Sequence, residues 1–482
     1  MSGEEKSSGR MAGAKSPSYV RAVNVPEARA SRFTARYMLL SDIAYVLSAA
    51  ELGYTPNDAA RSLVATLVEL LENVDSIDMT NPAGDIVAQR EAWVLARAGA
   101  ANAAWLHLGR NRGESLRCYL PRLFFRQSLF DLKQSTLAML DALLTRAAPL
   151  IEALSPNYHH LQHSGLTTAG EYLLSWAAVF ERHLERIDQA TARLDLSPSV
   201  FGARQQIRAL YDRVSHRLGF SRRARLRRDG IWLQAQFTEP FFVHTLVGVD
   251  LARLAQDLRI WMTPEFGLFE LADEHAGGSS ALPHARVPFG LQAVIGTSMM
   301  ASTRLAGEMA AASGPSEGSE PLYQSASLYQ GAEDIVASTR YMADVIAKGR
   351  FNTEEMRRKA LLDYAGSSEA HDRLVYDFGV PFRTGHKVLG SLVRAHFEGR
   401  AYDLPAALEA ETGRRIDVDQ KEITDIVLGA KIWPTTFDFE ELRAQHAGLQ
   451  ASFVDAQARA GESPVAQVGR RILEEAREFS RS

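Results

Sequence analysis

The sequence predicts an all-α protein, and three observations carry that prediction. Apolar residues recur in steps of three and four, which keeps one stripe of a helix facing inward. Residues that favour helix starts stand where those runs begin. Segments that alternate apolar and polar residues, as half-buried strands do, are almost absent, and no short-period repeat is found.

The elements follow in order. Residues 1–18, rich in Ser, Gly, Lys and Glu, have too little apolar surface to bury and read as a disordered tail. From Arg32 onward the helical pattern holds. Thr55-Pro56-Asn57 signals a helix start before Leu63, Leu67, Leu70 and Leu71. A longer helix runs through Leu129, Leu132, Thr136, Leu140, Leu143 and Leu144. Thr238 with Pro240 opens another, carried by Leu251, Leu254, Leu258 and Trp261 and stopped near Pro264. Asn352 followed by Glu355 matches a capping box and opens a smaller C-terminal region. The longest stripes are apolar enough to be buried against other helices and predict an oligomer. Three stretches break the regularity, at 106–115, 155–162 and 274–288. Bundles of long helices place their polar chemistry where such irregular segments meet.

Composition narrows the classes. A chain of 482 residues has the length of about three domains. With 46% hydrophobic and 23% charged residues it is an ordinary globular chain. A net charge of −4 without a basic stripe argues against nucleic acid. The single cysteine, Cys118, excludes an intramolecular disulfide and a Cys-based metal site. Charges interrupt the apolar stretches well short of a membrane span, and the N-terminus lacks a signal-peptide core. The expectation is a soluble cytoplasmic protein without membrane contact.

Two of the irregular stretches hold candidate chemistry. In Ser155-Pro156-Asn157-Tyr158-His159-His160-Leu161-Gln162, a loop that feeds a helix from Thr168, a histidine is most often a hydrogen-bonded packing residue. His159 and His163, four apart, could share a helix face as metal ligands do. No carboxylate or cysteine motif completes such a set, so no metal and no cofactor is predicted. Gly277-Gly278-Ser279-Ser280 has the composition of a flexible linker. It lies between a helix ending in Trp261-Met262-Thr263-Pro264-Glu265-Phe266-Gly267 and the next, starting near Pro288. A serine loop hinged on two glycines is also the composition of an active-site lid.

Five segments together resemble the argininosuccinate lyase branch of the aspartase/fumarase superfamily, in order and at about its spacing. Leu106-His107-Leu108-Gly109-Arg110-Asn111-Arg112-Gly113-Glu114 is similar to L-H-T-G-R-S-R-N-D. Pro156 to Gln162 is similar to P-G-Y-T-H-L-Q, and Trp261 to Gly267 to W-S-S-P-E-F-G. Gly278-Ser279-Ser280-Ala281-Leu282-Pro283 begins the signature loop G-S-S-x-M-P-x-K-x-N-P. Gly379-Val380-Pro381-Phe382-Arg383-Thr384-Gly385-His386 resembles G-V-P-F-R-x-A-H. The likeness covers about residues 33–475.

The resemblance implies a subunit of three domains: 19–114, a central long-helix bundle over 115–364 that carries the signature loop, and a small helical domain over 365–482. It implies a homotetramer with a twenty-helix bundle and active sites composed from several subunits. The implied reaction is a β-elimination on a small carboxylate, without a cofactor. Ser279 matches the loop serine proposed as base, and His160 the histidine that helps protonate the leaving group. Arg112 matches a carboxylate-binding arginine, and Tyr323 a tyrosine that contacts substrate. Asn111, His159, Ser280, Gln162, His284, Arg286 and Gln292 complete the expected substrate-binding set.

Departures from the family pattern are as informative. The signature-loop lysine is Ala285 and its asparagine is Val287. The threonine before the histidine is His159, and the asparagine after the first-motif arginine is Gly113. The glutamate that orients the histidine is Gln292, a neutral amide. Near Tyr323, L-Q-E-D-K becomes Leu328-Tyr329-Gln330-Gly331-Ala332, without its lysine. A charged hydrogen-bonding partner is worth about 1.5–3 kcal/mol. Losing several makes argininosuccinate a poor substrate. Three readings stay open: a lyase repurposed for a substrate with fewer carboxylates, as in specialised biosynthesis; an inactive homologue kept for scaffolding or regulation; and ordinary family chemistry with Arg286 standing in for the lysine.

Overall fold

The computed structural model describes residues 15–76, 86–108, 110, 119–198, 207–226, 230, 235–314, 325–432 and 437–481. Among them helix dominates, and the strands form two two-stranded antiparallel sheets. Residues 1–14 of the expected tail lie outside the described residues. Its last residues are helical: Ser16 caps Pro17–Tyr19 by accepting the Tyr19 N–H.

After a short helical lead-in, α1 (Ser31–Glu51), α2 (Asn57–Glu72) and α3 (Ile86–Ala103) form the N-terminal layer. The α2 start falls at the Thr55-Pro56-Asn57 signal. The central segment contains α4 (Leu120–Ala147), strands β1 (Leu154–His159) and β2 (Gln162–Thr168), α5 (Ala169–Leu194), α6 (Arg208–Arg217) and α7 (Ala235–Trp261). Strand β3 (Phe269–Glu270), α8 (Phe289–Ala312), α9 (Ser325–Lys348), β4 (Arg350–Phe351) and α10 (Thr353–Ala360) follow. The chain ends in α11 (Ser367–Tyr376), α12 (Phe382–Phe397), α13 (Leu404–Thr412), α14 (Gln420–Val427), α15 (Phe439–Ala460) and α16 (Pro464–Arg481).

Helix α4 buries its predicted stripe at Leu129, Leu132, Thr136, Leu140 and Leu143, extended by Phe125 and flanked by Leu137 and Met139, while Ala138, Asp141 and Thr145 opposite are exposed. So wide an apolar face needs several neighbours, and α5, α7 and α9 pack on this helix. Each fully buried leucine or phenylalanine contributes about 1.5–3 kcal/mol. Helix α7 begins at Ala235, before the expected Thr238–Pro240 start, and holds Pro240 inside it. Asn352 caps α10 by accepting the Glu355 N–H at 3.4 Å. The Glu355 carboxylate holds Arg358 at 2.7 Å, so only half of the capping box forms.

Three hydrophobic cores follow the chain. The first joins α1–α3 with Leu210 and Tyr211 of α6 and Ile472 of α16. The largest lies within the long helices and includes Phe453 of α15. The third, from Ala370 to Val427, holds α11–α14. The last two helices therefore return to the first two cores, although they follow the third in sequence. No described helix is long and apolar enough to cross a membrane.

Candidate active site

The segment 155–162, read from sequence as a loop before a helix, is a β-hairpin. Strands β1 and β2 pair antiparallel from Leu154–Thr168 down to His159–Gln162, with a bulge beside Asn157 and Tyr158. His160 (φ 52°) and Leu161 (φ 59°) form the turn between them. Two consecutive positive φ values suit the twist of a two-residue hairpin turn, which usually draws Asn and Gly. Proline, two histidines and a glycine hid the alternation that a strand needs. Thr168 then caps α5 by accepting the Glu171 N–H, so the predicted helix start holds.

The hairpin rules out the shared helix face considered for His159 and His163. His159 pairs with Gln162, and its ring lies 4.2 Å from that of His160. His163 is a packing residue: its ring nitrogens lie 3.2 Å from the Tyr158 hydroxyl and 3.2 Å from the Leu362 carbonyl. His159, His160, Leu161 and Gln162 are all exposed at the tip.

The serine loop is closed at its base. Gly277 and Val287 exchange both backbone hydrogen bonds at 2.8 Å. Gly277 is required by space: a Cβ there would stand 2.3 Å from the Phe289 ring. It is part of the stem, which corrects its expected role as a hinge; Gly278 has open space around it. Ser279 Oγ accepts the backbone N–H of Ala281 at 3.3 Å and of Leu282 at 3.1 Å. Two donors at one hydroxyl oxygen stabilise negative charge on it. Ser280 and His284 are exposed on the same loop, and Gln292 is exposed in the first turn of α8.

Arg286 does not point toward the serine's chemistry. It donates to Asp273 at 2.6 Å and to the Leu271 carbonyl at 2.7 Å, with Glu270 at 3.8 Å. The hydrogen bond from Arg286 to Asp273 holds its pKa above the usual guanidinium value. Two acids before the loop hold it at the stem. Lys348 pairs with Glu274 at 2.5 Å and with Asp344 at 2.9 Å, and His275 meets Asp344 at 2.9 Å. The bond from Lys348 lowers the Asp344 pKa.

Asn111, Arg112 and Tyr323 lie outside the described residues. Of the first motif's arginines, Arg110 is described and is structural. It is buried, bonds Asp42 at 2.5 Å and the Leu106 carbonyl at 3.1 Å, and stacks over Tyr45 at 4.3 Å. Arg90 meets the same carboxylate at 3.4 Å. The signal was legible: Asp42 is the one acid in an apolar helical run, and a buried carboxylate needs a cation.

Behind His160 lies a cavity of about 310 Å³, lined also by Tyr158, Tyr172, Asp257, Trp261 and Phe266. Sequence reading missed Asp257, although a carboxylate between Leu254 and Leu258 on an inward stripe marks a polar contact. Its side chain accepts the Tyr172 hydroxyl at 2.9 Å, and burial raises its pKa. Ser279 is not among the residues that line this cavity.

Comparison with known proteins agrees with this architecture. A family model described as lyase matches residues 15–302. The argininosuccinate lyase of Methanoculleus marisnigri is 28% identical over 375 residues, 76% of this chain and 75% of its own length. The crystal structure of EDDS lyase in complex with formate matches with a TM-score of 0.79 at 20% identity and covers 97% of each chain. That of 3-carboxy-cis,cis-muconate lactonizing enzyme from Pseudomonas putida matches at 0.69 and 18% identity, covering 91% of this chain and 99% of its own. The solved structures share the all-α fold. The chain belongs to the lyase family, within the aspartase/fumarase superfamily.

Proposed function

We propose that this lyase-family chain catalyses β-elimination, or its reverse, on a small carboxylate other than argininosuccinate, in a biosynthetic setting. One observation carries the reading. The loop serine is kept with two N–H donors on its oxygen, while the lysine and asparagine beside it are Ala285 and Val287, and Arg286 is held by Asp273. The base is retained and the family's carboxylate grip is not. Arg286 is therefore no substitute for the lysine.

In this reading Ser279 removes the proton next to the substrate carboxylate, and the aci-carboxylate that forms expels an amine or hydroxyl. His160 gives that leaving group its proton. Asn111, Arg112 and Tyr323 hold the carboxylate side, with His159, Gln162, Ser280, His284 and Gln292 forming the rest of the wall. The bare hairpin tip and the separate serine loop support a composite site assembled in a homotetramer. The domain division at 19–114, 115–364 and 365–482 belongs to the same proposal.

The test follows the ultraviolet absorbance of the unsaturated acid released: fumarate from argininosuccinate, and the corresponding α,β-unsaturated monocarboxylate from a panel of β-amino and β-hydroxy acids that carry a single carboxylate. We expect turnover in the panel and none with argininosuccinate. Argininosuccinate cleavage in the common range of roughly 1–10³ per second would overturn the proposal.

A further inference from the structure

The cavity behind His160 is walled by two aromatic pairs. Tyr158 of β1 and Phe266, in the turn after α7, have ring centroids 5.2 Å apart. Tyr172 of α5 and Trp261 at the end of α7 are 4.5 Å apart. Its only carboxylate is Asp257, which stands one turn before Trp261. Ring faces attract cations by about 0.5–2 kcal/mol, more as water is excluded. A carboxylate set among such rings makes the attraction specific for positive charge.

The state of Asp257 is the second observation. Its one described hydrogen bond is from Tyr172, a neutral donor. Arg253, one turn earlier, bonds Asp250 at 2.9 Å and lies over the Trp176 ring at 5.6 Å; its charge acts on Asp257 only through space and lowers the carboxyl pKa by less than burial raises it. Among the described residues, no lysine or arginine bonds Asp257. Its carboxylate is desolvated by burial without a bonded cation, a condition that an incoming ammonium group relieves. At about 310 Å³ the cavity is at the small end of organic-ligand sites, large enough for an amine with a few carbons.

We propose that this cavity binds the ammonium or guanidinium end of a small organic ligand, with Asp257 as counter-ion and the four rings as walls. Since His160 lines the same cavity, the inference rests on the lyase reading for its meaning: this is where the leaving or entering amine is held beside its proton donor. The reaction is thereby assigned to carbon–nitrogen rather than carbon–oxygen cleavage.

The test is isothermal titration of the intact oligomer with n-butylammonium, and with n-butanol as a neutral control. We expect saturable binding of the amine, at least about tenfold tighter than the alcohol, a difference of about 1.4 kcal/mol. Asp257→Asn keeps an oxygen to accept the Tyr172 hydroxyl and removes the charge; it should weaken amine binding at least about tenfold and leave the alcohol unchanged. Tyr172→Phe keeps the ring and supplies a second variant should the first not fold; it should retain the preference for amine over alcohol. Equal binding of amine and alcohol, no saturable binding by either, or an unchanged affinity in a folded Asp257→Asn protein would each overturn the proposal. His160→Ala separates the two readings: it should abolish turnover and keep butylammonium bound at least about tenfold tighter than butanol. Binding that persists in a wild-type protein without lyase turnover would sink the lyase reading and leave the cation site standing.

Discussion

A serine hydroxyl is a poor base in water, because its alkoxide is too unstable at neutral pH. In the role proposed for Ser279, the Ala281 and Leu282 N–H groups would supply part of the stabilisation that water otherwise gives. On the opposite partner, His160 is held at φ 52° beside Leu161 at φ 59°, conformations that cost about 1–3 kcal/mol each for such side chains. The strand pairing outweighs that cost and holds the backbone of His160 at the end of the hairpin. Once a substrate is identified, Ser279→Ala should lower kcat at least about a hundredfold and leave assembly intact. Steady-state kinetics and light scattering on the same preparation check both halves. An unchanged kcat would move the base role to a histidine, His160 or His284.

Between elements, the contact of α4 with α7 contains a buried histidine that makes stability depend on pH. The His244 Nδ1–H donates to the Pro240 carbonyl at 2.8 Å, and Ser128 Oγ lies 2.8 Å from Nε2 as the hydroxyl donor. The ring is neutral in this arrangement, and burial lowers its pKa from 6.5 to about 4. With the native value below the unfolded one, the unfolded chain binds a proton that the native chain refuses. Stability is therefore lost as pH falls from about 6.5 to about 4, by about 3 kcal/mol from this group. Urea unfolding at pH 7 and pH 4.5 should show the loss, and His244→Gln should flatten the difference. An equal pH slope in that variant would remove His244 as the cause. The loop stem is a second contact between elements: Arg286 with Asp273 joins the two ends of the serine loop, and Lys348 with Glu274 ties its start to α9. These pairs are exposed, and their worth is in placing the loop rather than in stability.

At the scale of the whole molecule, the long helices leave several large apolar side chains uncovered among the described residues. On α8, Phe289, Met299, Met300 and Met309 are exposed, Met299 at 63%, and on α7 so are Phe242 and Val249. The only charges in α8 are Arg304, which pairs with Asp334 at 3.1 Å, and Glu308, which is buried. Large apolar side chains exposed on a charge-poor helix suit a surface covered by another subunit. We expect a homotetramer by light scattering at micromolar concentration, with Met299→Glu plus Met309→Glu shifting it toward monomer and abolishing turnover. A stable wild-type monomer would sink both the assembly and the composite site. Domain order belongs to this scale too. The sequence places α15 and α16 after the small C-terminal core, yet Phe453 and Ile472 bury in the other two.

By itself the sequence determined the all-α class, the central place of α4, the starts of α2 and α5, and kinship with lyases through five motifs in register. These are local or periodic properties: a stripe at Leu129, Leu132, Leu140 and Leu143 is visible wherever the helix packs. It also held the departures at Ala285 and Val287 that argue against argininosuccinate. The tertiary structure alone decided four things. The segment 155–162 became a hairpin because its register is set by pairing with 162–168 and by two positive φ angles, neither of which composition reveals. Arg286 was taken up by Asp273 across the loop stem, a competition between partners that spacing does not rank. Gly277 proved to be a place where only a hydrogen atom fits against Phe289. Asp257 became a candidate binding group only when α5, α7 and the hairpin brought four aromatic rings around it, because a cavity is a property of several segments at once.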